Sequence, residues 1–280
     1  NSYLDFCRSH KLSETEEEKV ETKINDFPSL ARKKASMFSF FKYLYRQNMK
    51  SELITDKIDP IKVKSMKNRI IKTLEEDQVM DLLAAVQTGE GLTKKERAFW
   101  ESTKQRDYAI LMLFLSCALR ISELSQMNVS TVDFHKESIV IYRKGGKEKE
   151  MPLNLPTIQA LDQYITQERA RIKIENEDAS NALFLSLQGS RLSERQIREM
   201  VKKYTAIAMR CSKKEGYSPH KLRATAATAL INRGNDIYAV QEYLDHENVT
   251  TTQLYAKHKR ETARQLNRDL TWDQKTDREE

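Results

Sequence analysis

Tyr108-Ala-Ile-Leu-Met-Leu-Phe-Leu-Ser-Cys-Ala-Leu119 is almost wholly apolar, and the charged residues Arg120 and Glu123 follow it closely. A helix that is apolar on every side is buried in the core of its domain. The stretch is too short to span a bilayer, which takes about 20 apolar residues. We therefore predict a central buried helix, with an arginine just after it whose charge another group must match.

The segments on either side of this helix predict a mainly α fold with one small β-hairpin sheet. Ser138-Ile-Val-Ile-Tyr142 is β-branched and aromatic, Gly145-Gly146 follows, and Glu148 to Leu153 can return as a second strand. Only 7 Gly and 5 Pro are present in 280 residues, which is few for a sheet-rich protein. Further helices are predicted around Thr157 to Ile172, Ser193 to about Arg210, Ser218 to Gly234, Asp236 to Leu244 and Thr250 to about Leu270. Ser193 and Gln196 predict a capping box at the start of the second of these, and Pro219 after Ser218 marks the first helical position of the third.

Residues 1 to about 56 read as short helices, of which Arg32 to Lys50 is the clearest. One side of that helix is apolar, and the other side is basic without an acid among its charges. Pro60 opens a second basic stretch that looks like a linker between domains. A solvated face is the ordinary interpretation of such charges, but their density favours contact with DNA phosphates. The candidate DNA-binding residues here are Arg32, Lys33, Lys34, Lys42, Arg46, Lys62, Lys64, Lys67 and Arg69.

The chain is long enough for two domains. We predict a first helical domain over 1–58, a basic linker over 59–72, a second domain over 73–270 and a polar tail over 271–280. The chain opens with Asn1 inside what reads as a helix, so we expect that part of a longer N-terminal region has been removed. No apolar run is long enough for a membrane span, and no secretory signal is present.

Charge and cysteine content narrow the class of protein further. The net charge of +7 suits a polyanion such as nucleic acid without requiring one. The three cysteines, Cys7, Cys117 and Cys211, are scattered and form no C-x-x-C pair, which argues against a zinc site or a disulfide framework. We therefore expect a cytoplasmic protein without a metal or cofactor.

Several segments carry candidate catalytic residues, each with an ordinary alternative. Arg120 and Glu123 share a helix face, so the ordinary alternative is a structural salt bridge without a catalytic role. His220 and Arg223 lie near a predicted helix start, where backbone N–H groups favour an anion, although a capping histidine would look the same. Lys144, at the hairpin turn, could be one of the many lysines that decorate such turns.

Taken together and in order, these segments resemble the tyrosine recombinases, the family that includes phage integrases and the Xer proteins. The family's motifs are an R-x-x-E-L segment, a hairpin Lys, H-x-x-R, an L-G-H-like segment and a Tyr nine residues on. This chain has them at Arg120 to Leu124, Lys144, His220 to Arg223, Leu244 to His246, and Tyr255. It departs from the pattern at Asp245, where the family usually has Gly. The resemblance covers the second domain and implies that the first is a helical core-binding domain.

The resemblance implies DNA strand cleavage and rejoining without metal or ATP. Tyr255 would attack the scissile phosphorus and form a 3′-phosphotyrosyl link, while Arg120 and Arg223 would hold the non-bridging oxygens. The absence of a phosphate-binding loop of the G-x-x-x-x-G-K-[ST] type agrees with a reaction that conserves the phosphodiester energy.

The remaining roles also follow from the resemblance. Lys144 would be the general acid for the leaving 5′-oxygen, with Lys147 as the alternative and a candidate DNA contact. His220 would assist proton transfer from the tyrosine, His246 would donate to the phosphate, and Glu123 would support its neighbours.

The implied partners are a double-stranded DNA recombination site and three further copies of the chain. Family members act as a tetramer on two sites and exchange a C-terminal segment, here about Glu261 to Leu270. Accessory DNA-bending proteins are further candidate partners. We expect integration or excision of a mobile element. The alternatives are an Xer-like or plasmid or transposon resolvase, a type IB topoisomerase-like relaxing enzyme, and a non-catalytic DNA-binding protein.

Overall fold

The computed structural model describes residues 9–11, 22–24, 27–49, 72–143 and 146–245. It divides the chain into two compact units, Asn1–Asn68 and Arg69–Glu280. The domain limits given from the sequence stay a prediction. Within the described ranges, no helix is both long and apolar enough to cross a membrane.

The first unit contains two short strands and one long helix among its described residues. Strand β1 (Ser9–Lys11) pairs antiparallel with β2 (Thr22–Ile24), so the expectation of helices is wrong for these two segments. The β-branched residues of β2 favour an extended chain. Helix α1 (Phe27–Arg46) begins before the predicted start at Arg32, because Pro28 is tolerated in a first helical turn.

The second unit opens with four helices: α2 (Glu76–Thr88), α3 (Lys94–Trp100), α4 (Lys104–Cys117) and α5 (Ile121–Ser125). Helix α4 is the predicted central helix, and Ile110, Leu111, Leu113 and Phe114 are fully buried in it. It ends at Cys117 rather than Leu119 because Ala118 adopts a left-handed conformation, with φ 49°. This turn separates α4 from α5.

A three-stranded antiparallel sheet follows, in the order β3 (Val132–Asp133), β4 (Ser138–Tyr142) and β5 (Glu148–Pro152). The predicted hairpin is confirmed, with Tyr142 opposite Glu148 and Ser138 opposite Pro152. The third strand, β3, was not predicted, since two residues are too few to show an alternating pattern. Gly146 has φ 76° near the hairpin turn, a conformation that glycine adopts readily.

Five helices complete the described part: α6 (Leu155–Gln163), α7 (Glu177–Asn181), α8 (Glu194–Ala208), α9 (Pro219–Asn232) and α10 (Ile237–Leu244). The capping box predicted for α8 is confirmed, because the Ser193 N–H donates to Gln196 Oε1 at 3.0 Å and the Gln196 N–H donates to Ser193 Oγ at 3.3 Å. Pro219 opens α9 as predicted, and Asp236 caps α10.

The main core of the second unit surrounds α4. Side chains from α2, α6, α8 and the sheet pack with it in one cluster, which includes Leu82, Ile139, Leu161 and Val201. A second, smaller cluster joins Ala118 to Ala224 and Ala227 of α9 and to Leu244 of α10. Because alanine side chains are small, they let these segments pack closely, and Arg120 and Arg223 meet here.

Candidate active site

Arg120 is held by Glu123 through both its backbone and its side chain. The Arg120 N–H donates to Glu123 Oε2 at 2.7 Å, and Arg120 Nη1 donates to Glu123 Oε1 at 2.7 Å. Glu123 is only 6% exposed, whereas the Arg120 side chain is 38% exposed. The buried carboxylate therefore fixes the base of a guanidinium whose outer part still meets solvent.

Arg223 reaches the same region from α9 and is almost fully buried. Its Nη1 donates to the Ala118 carbonyl, and its Nη2 donates to the Leu244 carbonyl. The first contact ties α9 to the left-handed turn after α4, and the second ties it to the last turn of α10. Arg223 thus joins the motif segments around Arg120 and His246, which lie far apart in sequence.

The last carbonyls of α10 bring the basic residues together. We call the carbonyl groups of Glu242, Tyr243, Leu244 and Asp245 the α10 end. A helix leaves its last four carbonyls without intrahelical partners and carries partial negative charge there, so cations stabilise it. Four cationic side chains donate hydrogen bonds to the α10 end. Arg120 donates to the Asp245 carbonyl at 3.0 Å, and both Arg143, at 2.8 Å, and Arg223 donate to the Leu244 carbonyl. Lys149 donates to the Glu242 carbonyl at 2.8 Å and to the Tyr243 carbonyl at 3.3 Å.

Arg143 and Lys149 belong to this arrangement and were missed from the sequence. Ile139, Ile141 and Arg143 are buried in alternation along β4, which places Arg143 on the inner face of the sheet. Lys149 stands opposite Ile141 in the register of β5. The period-two alternation of side chains along a strand could have predicted from the sequence that both residues lie on the inner face of the sheet.

Burial changes the chemistry of Lys149. Its pKa is lowered from the ordinary lysine value, first because of desolvation and next because of the charge of Arg143. Its Nζ also lies 6.0 Å from the centre of the Tyr243 ring, and the Tyr243 hydroxyl donates to the Ser116 carbonyl at 2.9 Å. Lys149 therefore connects the sheet to the end of α10, and Tyr243 connects α10 to α4.

Asp245, the departure from the family pattern, has φ 53° and ψ 54° at the end of α10. Glycine adopts this left-handed conformation without strain, and aspartate tolerates it better than most residues. The carboxylate adds a charge that glycine lacks: Asp245 Oδ2 lies 3.5 Å from Arg143 Nη1 and 3.9 Å from Arg120 Nη1. The substitution keeps the turn and changes the local charge.

His220 lies in the first turn of α9, on the exposed side, three residues before the buried Arg223. Its pKa is lowered from the ordinary histidine value, first because of desolvation and next because of Arg223 and Lys221. The imidazole is therefore neutral at pH 7 and can accept a proton. Lys147 is exposed at the end of the hairpin turn, where its carbonyl accepts from the Arg143 N–H at 2.7 Å.

Three predicted catalytic residues, Lys144, His246 and Tyr255, lie outside the described residues, as do four linker cations, Lys62, Lys64, Lys67 and Arg69. In sequence, Lys144 directly follows Arg143, and His246 directly follows Asp245. In the part of the chain that the structure describes, no three His, Cys, Asp or Glu side chains come together as a metal site.

The basic side of α1 differs from the expectation at one position. Arg32, Lys42 and Arg46 are exposed and Lys33 is partly buried, but Lys34 is only 8% exposed. The Lys34 ammonium lies 4.7 Å from the centre of the Phe38 ring, so its stem and charge pack on the apolar side of the helix. Contact of the other four cations with DNA stays a prediction.

Comparison with known proteins identifies the family of the chain. Residues 72–262 match the model of the phage integrase family. The chain is 38% identical over 233 residues to the tyrosine recombinase XerC of Caldanaerobacter subterraneus subsp. tengcongensis, an alignment that covers 82% of this chain and 59% of that relative. The chain thus spans less than two thirds of the length of that protein.

Two solved structures share the fold. One is the XerH site-specific recombinase bound to palindromic difH substrate in a post-cleavage complex, with a TM-score of 0.68 and 19% identity over 86% of this chain and 67% of that chain. The other is the Tn1549 transposon integrase in complex with a circular intermediate DNA, with a TM-score of 0.63 and 20% identity over 88% of this chain and 80% of that chain. The predicted fold class is confirmed, and the chain belongs to the phage integrase family of tyrosine recombinases.

Proposed function

We propose that this chain cuts and rejoins double-stranded DNA at a specific site, with Tyr255 as the nucleophile. The observation that carries the proposal is the meeting of Arg120 and Arg223 at consecutive carbonyls, those of Asp245 and Leu244. These two carbonyls directly precede His246 in the sequence. Two guanidinium groups that meet at these carbonyls would form a site for one phosphate group.

The two arginines would stabilise the five-coordinate transition state, in which negative charge concentrates on the non-bridging oxygens. Such donors are effective when they are fixed before the reaction, and losing one typically costs about 10²–10³-fold in rate. Glu123 fixes Arg120, and two buried carbonyls fix Arg223. Because a guanidinium carries five N–H donors, the contacts of Arg120 with Glu123 and Asp245 leave others for a phosphate.

Proton transfer requires further groups, because a phenol with a pKa of about 10 is a poor nucleophile at neutral pH. His220 suits the acceptor role, since its lowered pKa keeps it neutral. Lys144 is the proposed general acid for the leaving 5′-oxygen, with Lys147 as the alternative, and His246 the proposed donor to the phosphate. The protein–DNA bond stores the phosphodiester energy, so rejoining needs no ATP.

The assembly and the biological role belong to the same proposal. We place four copies on two DNA sites, joined by exchange of the segment near Glu261 to Leu270. The match to XerC favours an Xer-type role in the cytoplasm, acting on the nucleoid. Integration or excision of a mobile element is the second candidate, and the shared fold with the Tn1549 transposon integrase keeps it open. Recombination between two sites on one plasmid, scored for deletion against integration from a second plasmid, separates the two roles.

The nucleophile is tested with a nicked duplex built on the sequence that the chain selects from a randomised DNA pool. Cleavage beside a nick releases a short fragment, so the covalent adduct accumulates. We expect Tyr255→Phe to bind this duplex normally and to form no adduct. Tyr238→Phe is the matched control, because Tyr238 is 64% exposed on α10 and should keep full adduct formation. An adduct from the Tyr255 variant would show that another residue attacks.

The same preparation separates recombination from relaxation by a type IB topoisomerase-like enzyme. A recombinase exchanges strands between two copies of its site and depends on that sequence. An enzyme that relaxes any supercoiled plasmid at low concentration, and exchanges no strands, would contradict the proposed function.

A further inference from the structure

Arg143 is a buried arginine that none of the proposed chemical roles uses. It is 5% exposed and lies directly after β4, on the inner face of the sheet. Its Nη1 donates to the Leu244 carbonyl at 2.8 Å, and its Nη2 lies 3.7 Å from Met151 Sδ. Within the described residues its Nε has no hydrogen-bond partner, although Glu123 Oε1 is 3.7 Å away.

Arg143 shares both of its carboxylate partners with Arg120. Glu123 Oε1 lies 2.7 Å from Arg120 Nη1 and 3.7 Å from Arg143 Nε. Asp245 Oδ2 lies 3.5 Å from Arg143 Nη1 and 3.9 Å from Arg120 Nη1. Two guanidinium groups and two carboxylates thus share their ion-pair contacts, and Lys149 interacts electrostatically with Arg143 and Asp245.

We infer that Arg143 is a positioning residue for DNA cleavage: it neutralises the two carboxylates beside Arg120 and so keeps Arg120 available to the scissile phosphate. The inference rests on the proposed function, since it assumes that Arg120 binds that phosphate. It gives a role to Asp245 as well, because a glycine at this turn would bring no carboxylate.

The physical reason is competition between anions. The Asp245 carboxylate is 56% exposed and stands at the same arginine that an incoming phosphate must reach. With Arg143 in place, Asp245 has a nearer cation than Arg120. Without it, both carboxylates would compete more strongly for Arg120 and would reduce the positive charge that Arg120 presents to the phosphate. Arg143 and Asp245 should therefore act as a pair.

A simpler role for Arg143 would be to cap α10 through the Leu244 carbonyl. The two roles predict different results in a double-mutant cycle with Asp245, because capping does not depend on the Asp245 carboxylate. Arg143→Gln removes the charge and keeps an N–H donor. Asp245→Asn removes the carboxylate and keeps a residue that tolerates the left-handed conformation.

The experiment measures single-turnover adduct formation at saturating nicked duplex for the wild type, R143Q, D245N and R143Q/D245N. A displaced catalytic group typically costs on the order of 10²-fold, so we expect R143Q to slow the reaction by about 10–100-fold with little change in DNA affinity. In the D245N background, R143Q should slow adduct formation by less than about 5-fold, because one of the two competing carboxylates is absent. R143K keeps the charge and should stay closer to the wild type than R143Q does.

Two results would overturn the inference. In one, R143Q slows adduct formation by the same factor with and without D245N, as expected if Arg143 only caps α10. In the other, R143Q reacts at the wild-type rate. Thermal melting followed by circular dichroism accompanies each variant, and if R143Q does not fold, the cycle is run with R143M, which also removes the charge and whose rate loss should likewise be smaller in the D245N background.

The Tyr255→Phe change, placed in each background, keeps the two proposals separate. An adduct that persists in its presence contradicts the proposed nucleophile, whatever Arg143 does. Adducts that vanish with Tyr255→Phe, combined with additive effects of R143Q and D245N, leave the recombinase proposal standing and refute the role given to Arg143.

Discussion

Replacing Glu123 by Gln tests whether one buried carboxylate organises the arginines of the site. Glu123 accepts from the Arg120 backbone N–H and from Arg120 Nη1, both at 2.7 Å, and lies 3.7 Å from Arg143 Nε. Glutamine has nearly the same shape but only one acceptor oxygen, so its amide NH₂ must face one of these donors. The change removes one charge-assisted hydrogen bond and the negative charge between two guanidinium groups.

The size of the effect follows from these contacts. A hydrogen bond to a charged group contributes about 1.5–3 kcal/mol to stability. The Arg120 side chain is 38% exposed, so water replaces part of that contribution, and we expect a loss of about 2 kcal/mol. For a unit of this size, each kcal/mol lowers Tm by about 2–4 °C, which gives a fall of about 4–8 °C.

Catalysis should suffer together with stability. Arg120 keeps its charge but loses its fixed orientation, and poorly placed transition-state donors cost on the order of 10–100-fold in rate. The assay is the single-turnover adduct rate on the nicked duplex, read together with Tm. Duplex affinity should not fall, because the positive charge of the site increases.

The matched control is Glu101→Gln. Glu101 also pairs with a cation three residues away, since Lys104 Nζ lies 2.8 Å from its Oε2, but its side chain is 66% exposed. An exposed pair of this kind contributes less than about 1 kcal/mol. If the Glu123 and Glu101 variants melted and reacted alike, the buried carboxylate would not organise the site, and the reasoning would be refuted.

Two further predictions concern pH and buried charge. Because desolvation and then Arg223 lower the pKa of His220, adduct formation should be constant near pH 7 and should decline only at a pH below the range in which an ordinary histidine titrates. A pH–rate profile checks this, and His220→Asn should remove that decline. Asp107→Asn should lower the free energy of unfolding, measured by urea titration, by about 3–5 kcal/mol. The reason is that Asp107 Oδ1 accepts from the buried Arg106 at 2.7 Å and that Lys203 Nζ lies 3.8 Å from Asp107 Oδ2. An unchanged urea midpoint would contradict this.

Elements with strong local signals were predictable from the sequence. The hairpin of β4 and β5, the capping box at Ser193 and the Pro219 start of α9 all appear where their local patterns placed them. Helix α3 carried the same kind of signal, a Thr93 and Glu96 capping box, and was overlooked. Such features depend on residues three or four apart, which the sequence displays directly.

Elements that depend on distant partners were not predictable. Strand β3 exists because Val132 and Asp133 pair with Ile139 and Ser138, and two residues carry no periodic signal. The end of α4 at Cys117 depends on the left-handed conformation of Ala118, and an alanine in the sequence does not predict that conformation. The Ala118 carbonyl there accepts from Arg223, a residue more than one hundred positions later.

The sequence by itself determined the family and the mainly α fold and predicted the chemical groups of the site, because ordered motifs and local spacing are properties of the chain. Only the tertiary structure decided how those groups are held. It placed Arg143, Lys149 and Asp245 around the end of α10, where the last carbonyls of the helix accept hydrogen bonds from cations of four separate segments. Contacts of that kind arise when folded segments meet, and no single stretch of the sequence records them.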